Sequence, residues 1–218
     1  METGRPIGFE ALTRFHGGSA PDITFSDAIA VGLGHDLEAA TLSAAIESSW
    51  DLPAGPWLSL NVSADFVLDG DRLASIMRRR IRPIVLEITE HVAIDDHEAV
   101  RAAVAALGPD VRIAVDDAGS GVANFTHIVN LRPDFVKIDR SLIHDVNTDL
   151  TRQALIVGLL HFARAINCWI IAEGVETEAE RVTLGDLDIG PFQMHAATTG
   201  GTGVGRGAGS GRSLIHIA

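Results

Sequence analysis

Asp116 and Asp117 stand side by side at the end of an apolar run, Ile113-Ala-Val115, and lead into Ala118-Gly-Ser-Gly121. Two adjacent carboxylates repel each other and resist burial unless a cation or a set of donors compensates them. The pair is therefore either a solvated strand end or a metal site. Other apolar runs carry the same kind of residue near their ends: Glu10 in Pro6–Phe15, Asn61 in Trp57–Val62, Glu87 in Ile84–Ile88, Lys137 in Pro133–Ile138, and Glu173 just after Cys168–Ala172. Several carboxylates with an amide oxygen, and neither Cys nor His in the set, suit Mg²⁺ or Mn²⁺. So many carboxylates exceed what one ion needs. Two ions bridged by Asp116 or Asp117, roughly 3.5–4 Å apart, would clamp both the attacking and the leaving oxygen of a phosphodiester. Lys137 is placed to hold the attacking water or a phosphate oxygen, and Arg14 to bind a phosphate.

These residues need elements that bring them together. The apolar runs are short and continuous, as in strands buried on both faces. Helical stretches alternate with them: from Thr24–Asp27 with Ser26 as N-cap, about 36–49, Asp71 to Arg80, Asp95 or Asp96 to Gly108, near 123–130, Asn147 or Thr148 to Ala165, and Glu176 to about Leu187. A weak strand is expected near Ile189–Gln193. Strand–helix alternation predicts an α/β fold with a parallel sheet, and seven to eight such units favour a TIM-like (β/α)₈ barrel, whose strand C-termini open on one face. Six clear strands and one weak one leave the count short of eight. The barrel is expected to span residues 1–199 and to be incomplete at its N-terminal strand and its C-terminal end. Residues 200–218 hold seven glycines between Gly200 and Gly211 and are expected to be a disordered tail.

The net charge of −12 speaks against a nucleic-acid polymer or an anionic membrane as partner, since both call for a basic face. Cys168 is the single cysteine, which excludes a disulfide framework and fits a reducing compartment. No run reaches the roughly 20 apolar residues of a membrane span, and the N-terminus lacks a signal-peptide pattern, so a cytoplasmic location is expected.

Glu10-Ala-Leu12 with Thr13-Arg14 resembles the signature of the EAL-domain cyclic di-GMP phosphodiesterases. The resemblance continues in order through Asn61-Val-Ser63, Glu87-Ile-Thr-Glu90, Asp116 to Gly121, Val136-Lys-Ile-Asp139 and Ile171-Ala-Glu-Gly-Val-Glu-Thr177. It implies a hydrolase that opens cyclic di-GMP to linear pGpG with two Mg²⁺ or Mn²⁺ ions. Glu10, Asn61, Glu87 and Asp116 would ligate the first ion, and Asp116 with Asp117 the second. Lys137 would orient the water and Glu173 would act as general base or second-metal partner. Leu12, Arg14 and Gln193 would contact the substrate. Glu90 would tie down the loop after Asp117, which family members use to dimerise. Two departures lie in that loop, where Ala118 replaces the usual Phe and Val122 the usual Tyr. The alternative reading is a catalytically inactive cyclic di-GMP binding or regulatory domain.

The remaining residues read as structural. Trp50, Trp57 and Trp169 are expected in the core, His161 partly buried on its helix, and Arg78-Arg-Arg80 at a solvated helix end. The nine histidines show no metal-ligand spacing within one element.

Overall fold

The computed structural model describes residues 6–15, 18–88, 96–118, 125–189, 194–196 and 214–217. They fall into two compact units.

The first unit takes in residues 1–86, 102–111 and 200–218. It holds β1 (Gly8–Arg14), α1 (Pro21–Ala30), α2 (Gly34–Ser48), a 3₁₀ turn (Ser49–Asp51), β2 (Trp57–Val62), α3 (Ala64–Leu68), α4 (Gly70–Met77), most of β3 (Ile84–Ile88) and β8 (Leu214–Ile217). Its strand order is β3-β2-β1-β8. β1 and β2 are parallel, with Glu10 opposite Ser59. β8 closes the other edge of β1 in the antiparallel sense, with Leu12 opposite His216. Leu214–Ile217 thus form a strand inside the segment expected to be a tail; Gly200 to Gly211 lie outside the described residues.

Local chemistry accounts for the joints. The Trp57 indole covers Gly8 so closely that a Cβ there would lie 2.1 Å from its Nε1. The buried Arg82 guanidinium donates to the carbonyls of Ser49, Leu52, Pro53 and Pro56 at 2.8–3.2 Å, pinning the turn before β2. Such carbonyls would otherwise be left without donors. Glu38 accepts from both the backbone and the hydroxyl of Ser63, at 2.7 and 2.8 Å. The Ser63 hydroxyl in turn caps α3 through Phe66 N.

The second unit takes in residues 87–101 and 112–199. It holds the end of β3, α5 (His97–Ala106, up to Arg101), β4 (Val111–Ala118, from Arg112), α6 (Phe125–Leu131), β5 (Phe135–Ile138), α7 (Arg140–Ile143), α8 (Leu150–Ala165), β6 (Trp169–Val175), α9 (Glu178–Asp186) and β7 (Met194–Ala196). β4, β5, β6 and β7 lie side by side and parallel. α8 buries Ile156, Leu159, Leu160 and Ala163, the spacing of one apolar helical stripe. α9 starts with a reciprocal capping box between Thr177 and Glu180.

Several boundaries differ from the sequence reading. α1 starts at Pro21, whose fixed φ suits a first helical position, so Ser26 lies inside the helix. Ser63 opens a separate short helix before α4, and Asp69, not Asp71, holds the N-cap position of α4. α7 is an added element, capped by Asp139. Asp149 caps α8 through the N–H groups of Thr151 and Arg152, displacing the starts at Asn147 or Thr148. Glu176 stands before α9 rather than in it. A strand is found at Met194–Ala196; all of the weak strand expected near 189–193 except Ile189 lies outside the described residues. Trp50 and Trp169 are about half exposed, at 47% and 59%, and Trp57 is half-buried. Trp50 instead lies under the Arg79 guanidinium, 5.9 Å from its ring centre. His161 is exposed. Of the three arginines at the end of α4, Arg79 pairs with Glu47 at 2.5 Å, and Arg80 donates to the carbonyls of Met77 and Leu107.

Candidate active site

β3 and β5 are buried along their whole lengths, yet each carries one ionisable residue, Glu87 and Lys137. Burying a charge is costly unless it is paired. Here the pairing is direct. Lys137 Nζ lies 3.0 Å from Glu87 Oε2, 3.2 Å from Asp116 Oδ2 and 2.8 Å from Glu173 Oε1. Residues far apart in sequence on β3, β4, β5 and β6 thus meet at one ammonium. The Glu87 and Lys137 side chains are only 2% and 5% exposed, against 18% and 22% for Asp116 and Glu173. The cluster is deep on one side and reaches water on the other.

Two irregularities aim these acids. From Val115 to Ala118 the chain takes three steps on β4 against two on β5, from Val136 to Ile138. From Ala172 to Val175 it takes three steps on β6 against two on β7. Each is one extra residue, a bulge, which breaks the strict alternation of faces along a strand. Asp116–Asp117 and Glu173–Gly174 occupy these two places. β4 therefore does not stop at the acidic pair but runs through it to Ala118. Gly174 has φ +66°, and a Cβ on it would lie 2.6 Å from Arg140 Cγ. Arg140 continues to Glu176 at 2.8 Å. The stem of Arg140 thus packs on the backbone next to Glu173, and glycine is required there on both counts.

Glu180 braces the same loop. It is 3% exposed. Its carboxylate accepts from Asp145 N at 3.0 Å, Glu176 N at 3.0 Å and Thr177 N at 2.9 Å. Burial pushes its carboxyl upward, but the backbone donors of Thr177, Asp145 and Glu176 outweigh that and leave it below the usual range. A depressed folded value gives stability that is present above the unfolded carboxyl value of about 4.3 and is lost as pH falls through the folded value. Glu180→Ala is expected to cost about 2–4 kcal/mol at neutral pH by leaving buried amides without acceptors. Its unfolding free energy, compared with the wild type across pH 7 to 3, should show the gap narrowing as the solution becomes more acidic.

Of the residues expected at the site, Glu87, Asp116, Lys137 and Glu173 are brought together. Asp117 lies in β4 beside Asp116. Glu10, Leu12, Arg14 and Asn61 belong to the first unit. There Glu10 is opposite Ser59, two residues before Asn61, so Glu10 and Asn61 fall on one face of the sheet. Leu12, Arg14 and Asn61 line a cavity of about 330 Å³ with Phe25, Leu42 and Leu60. Glu90, Gln193 and the loop over residues 119–124 lie outside the described residues. The capping Glu180 and the Gly174 turn were not expected. The Thr177-x-x-Glu180 pattern of a capping box was the available signal for the former.

Among the described residues, no group of three or more His, Cys, Asp or Glu is arranged to hold a metal ion by itself. Glu87, Asp116 and Glu173 converge on an ammonium instead. The donor chemistry nonetheless fits a hard divalent cation: the groups are all oxygen donors, and three carboxylates with one ammonium carry a formal charge of −2. A thiolate site is excluded at Cys168, whose thiol is pushed up to about 12 by burial and then by Asp134.

The EAL domain family model matches residues 1–193. The chain belongs to the EAL-domain family. A probable cyclic di-GMP phosphodiesterase of Escherichia coli, PdeN, is 28% identical over 87% of this chain and 39% of its own length. An uncharacterized protein of Mycobacterium tuberculosis is 31% identical over 82% of this chain and 31% of its own. This EAL chain thus spans between about three and four tenths of the length of these curated relatives. Klebsiella pneumoniae BlrP1, solved with calcium and cyclic di-GMP, matches the fold with a TM-score of 0.71 and 27% identity, over 85% of this chain and 49% of that one. The fold is α/β of the TIM-like barrel type found in these EAL structures. Among the described residues, no helix is long and apolar enough to cross a membrane.

Proposed function

We propose that this EAL chain is a phosphodiesterase that hydrolyses cyclic di-GMP to linear pGpG. The observation that carries the reading is the convergence of Glu87, Asp116 and Glu173 on Lys137. A structural ion pair needs one carboxylate, whereas three around one lysine suit a site that handles both protons and phosphate charge. Glu10, Asn61, Glu87, Asp116 and Asp117 would hold two Mg²⁺ or Mn²⁺ ions, which when bound lower the pKa of water and neutralise phosphate charge.

The protein's own groups do the rest. The Lys137 ammonium donates to the attacking water or to a non-bridging phosphate oxygen, and its position is fixed by its three carboxylate partners. Glu173, the partly exposed member nearest to it, accepts the proton of the water as the oxygen attacks phosphorus. The phosphorus–O3′ bond breaks, and the 3′ oxygen leaves and takes up a proton. By the family resemblance, Leu12, Arg14 and Gln193 would contact the ligand, Arg14 through a phosphate oxygen. The loop after Asp117 serves as a dimer contact.

Glu173→Gln tests this assignment. It keeps the volume and removes the base. Turnover of cyclic di-GMP in Mn²⁺ is expected to fall about 10²–10⁴-fold, while calorimetric affinity for the ligand stays within a few-fold. Turnover equal to wild type in the variant would sink the role of Glu173. Ligand binding with no turnover in the wild type would favour the regulatory reading, for which the altered Ala118 and Val122 positions are the motivation.

A further inference from the structure

Two histidines outside this cluster meet across a pair of helices. His97 opens α5 and His127 lies in the first turn of α6. His97 Nε2 is 2.9 Å from His127 Nδ1, in a partly buried contact. The ring centres are 5.0 Å apart and tilted by 44°. In the neutral pair one of these nitrogens carries the proton and the other accepts it. His97 favours the neutral form. Burial, then the neighbouring His127, hold His97 below the ordinary imidazole range, against the opposing pull of Asp96. The N-terminal turn of a helix also disfavours imidazolium. Neutral imidazole is the form that binds transition metals.

We propose that His97 and His127 form a bidentate site for a transition-metal ion of the Cu²⁺ or Ni²⁺ type. Two nitrogens about 2.05 Å from an ion and at a right angle to each other are about 2.9 Å apart, whereas tetrahedral ligands are about 3.3 Å apart. The spacing found therefore matches adjacent corners of a square-planar or tetragonal ion, the geometry Cu²⁺ and Ni²⁺ prefer. On binding, the shared hydrogen is displaced and both rings turn their lone pairs toward the ion. Where that proton was on His97 Nε2 it moves to Nδ1, and His127 keeps its proton on Nε2, so no net proton is released. Water fills the other positions. Asp96, whose carboxylate accepts from Ala99 N at 2.9 Å, lies beside His97 and offsets the charge of the ion. The donor class separates this site from the carboxylate cluster: nitrogen ligands here, hard oxygens there. A bound ion ties α5 to α6, which follow β3 and β4, the strands that carry Glu87 and Asp116.

The full chain, stripped of metal and supplied with excess Mg²⁺, is titrated with Cu²⁺ by calorimetry and examined by electron paramagnetic resonance. The expected result is a Cu²⁺ species with hyperfine splitting from two nitrogens, bound at least about tenfold more weakly in His97→Gln and in His127→Gln. His161→Gln, on the exposed side of α8, should change nothing. No two-nitrogen species in the wild type, or folded variants that bind Cu²⁺ as the wild type does, would overturn the proposal. If either variant fails to fold, acylation of histidines in the wild type with and without Ni²⁺ decides. Joint protection of His97 and His127 supports the site, and unchanged modification of both refutes it.

Discussion

Lys137→Met should lower the unfolding free energy by about 3–5 kcal/mol at neutral pH in the absence of divalent metal, the cost of removing one partner from a buried ionic cluster. The reason is the asymmetry of the site. Methionine nearly matches the lysine stem in volume, so packing is kept, but three carboxylates then face one another with their ammonium gone. Glu87, at 2% exposure, has little water to turn to. The same logic fixes the response to metal. Mn²⁺ or Mg²⁺ should raise the melting temperature of the variant by more than it raises that of the wild type, because the cation enters a more negative site. Thermal melts with chelator and with saturating Mn²⁺ read both effects. A variant as stable as the wild type in chelator would show that Lys137 does not hold the cluster together.

Gly174→Ala is expected to cost about 2–4 kcal/mol. Roughly 1–2 kcal/mol comes from placing a Cβ in the left-handed region at φ +66°. The remainder comes from overlap with Arg140 Cγ, which would lie 2.6 Å from the new Cβ. The double variant with Arg140→Ala should recover the overlap share and leave the backbone share, so the two substitutions are non-additive. Function should suffer more than stability suggests. Glu173 is the neighbour that this turn aims at Lys137, and a displacement on the order of 1 Å at a reacting group costs about 10²-fold in rate. A kcat loss of that size with KM little changed is the expected pattern.

The parts of this EAL domain legible from sequence are those set by side-chain type within one element. β2 and β3 were readable to the residue, because each is a short apolar run bounded by turns. The recurrence of acids at strand ends was readable for the same reason. What escaped depends on partners elsewhere. The bulges at Asp116–Asp117 and Glu173–Gly174 exist only in the register between neighbouring strands. Glu180 looks like an ordinary helix acid until Asp145, 35 residues away, donates to it. Helix starts slipped where several capping residues compete, as at Asn147, Thr148 and Asp149, of which Asp149 holds the cap. Trp169 was expected in the core by residue type, yet it is the first residue of its strand and stands 59% exposed. His97 and His127 sit on different helices, so no spacing within one element could pair them.

The measurement that bears most directly on the phosphodiesterase assignment is hydrolysis of cyclic di-GMP in ¹⁸O-labelled water with Mn²⁺ present, followed by mass spectrometry of the product. The account predicts linear pGpG with one ¹⁸O on its 5′ phosphate, formed by the wild type and strongly reduced in Glu173→Gln. Cyclic di-GMP recovered intact from protein that shows a cooperative melt would contradict it.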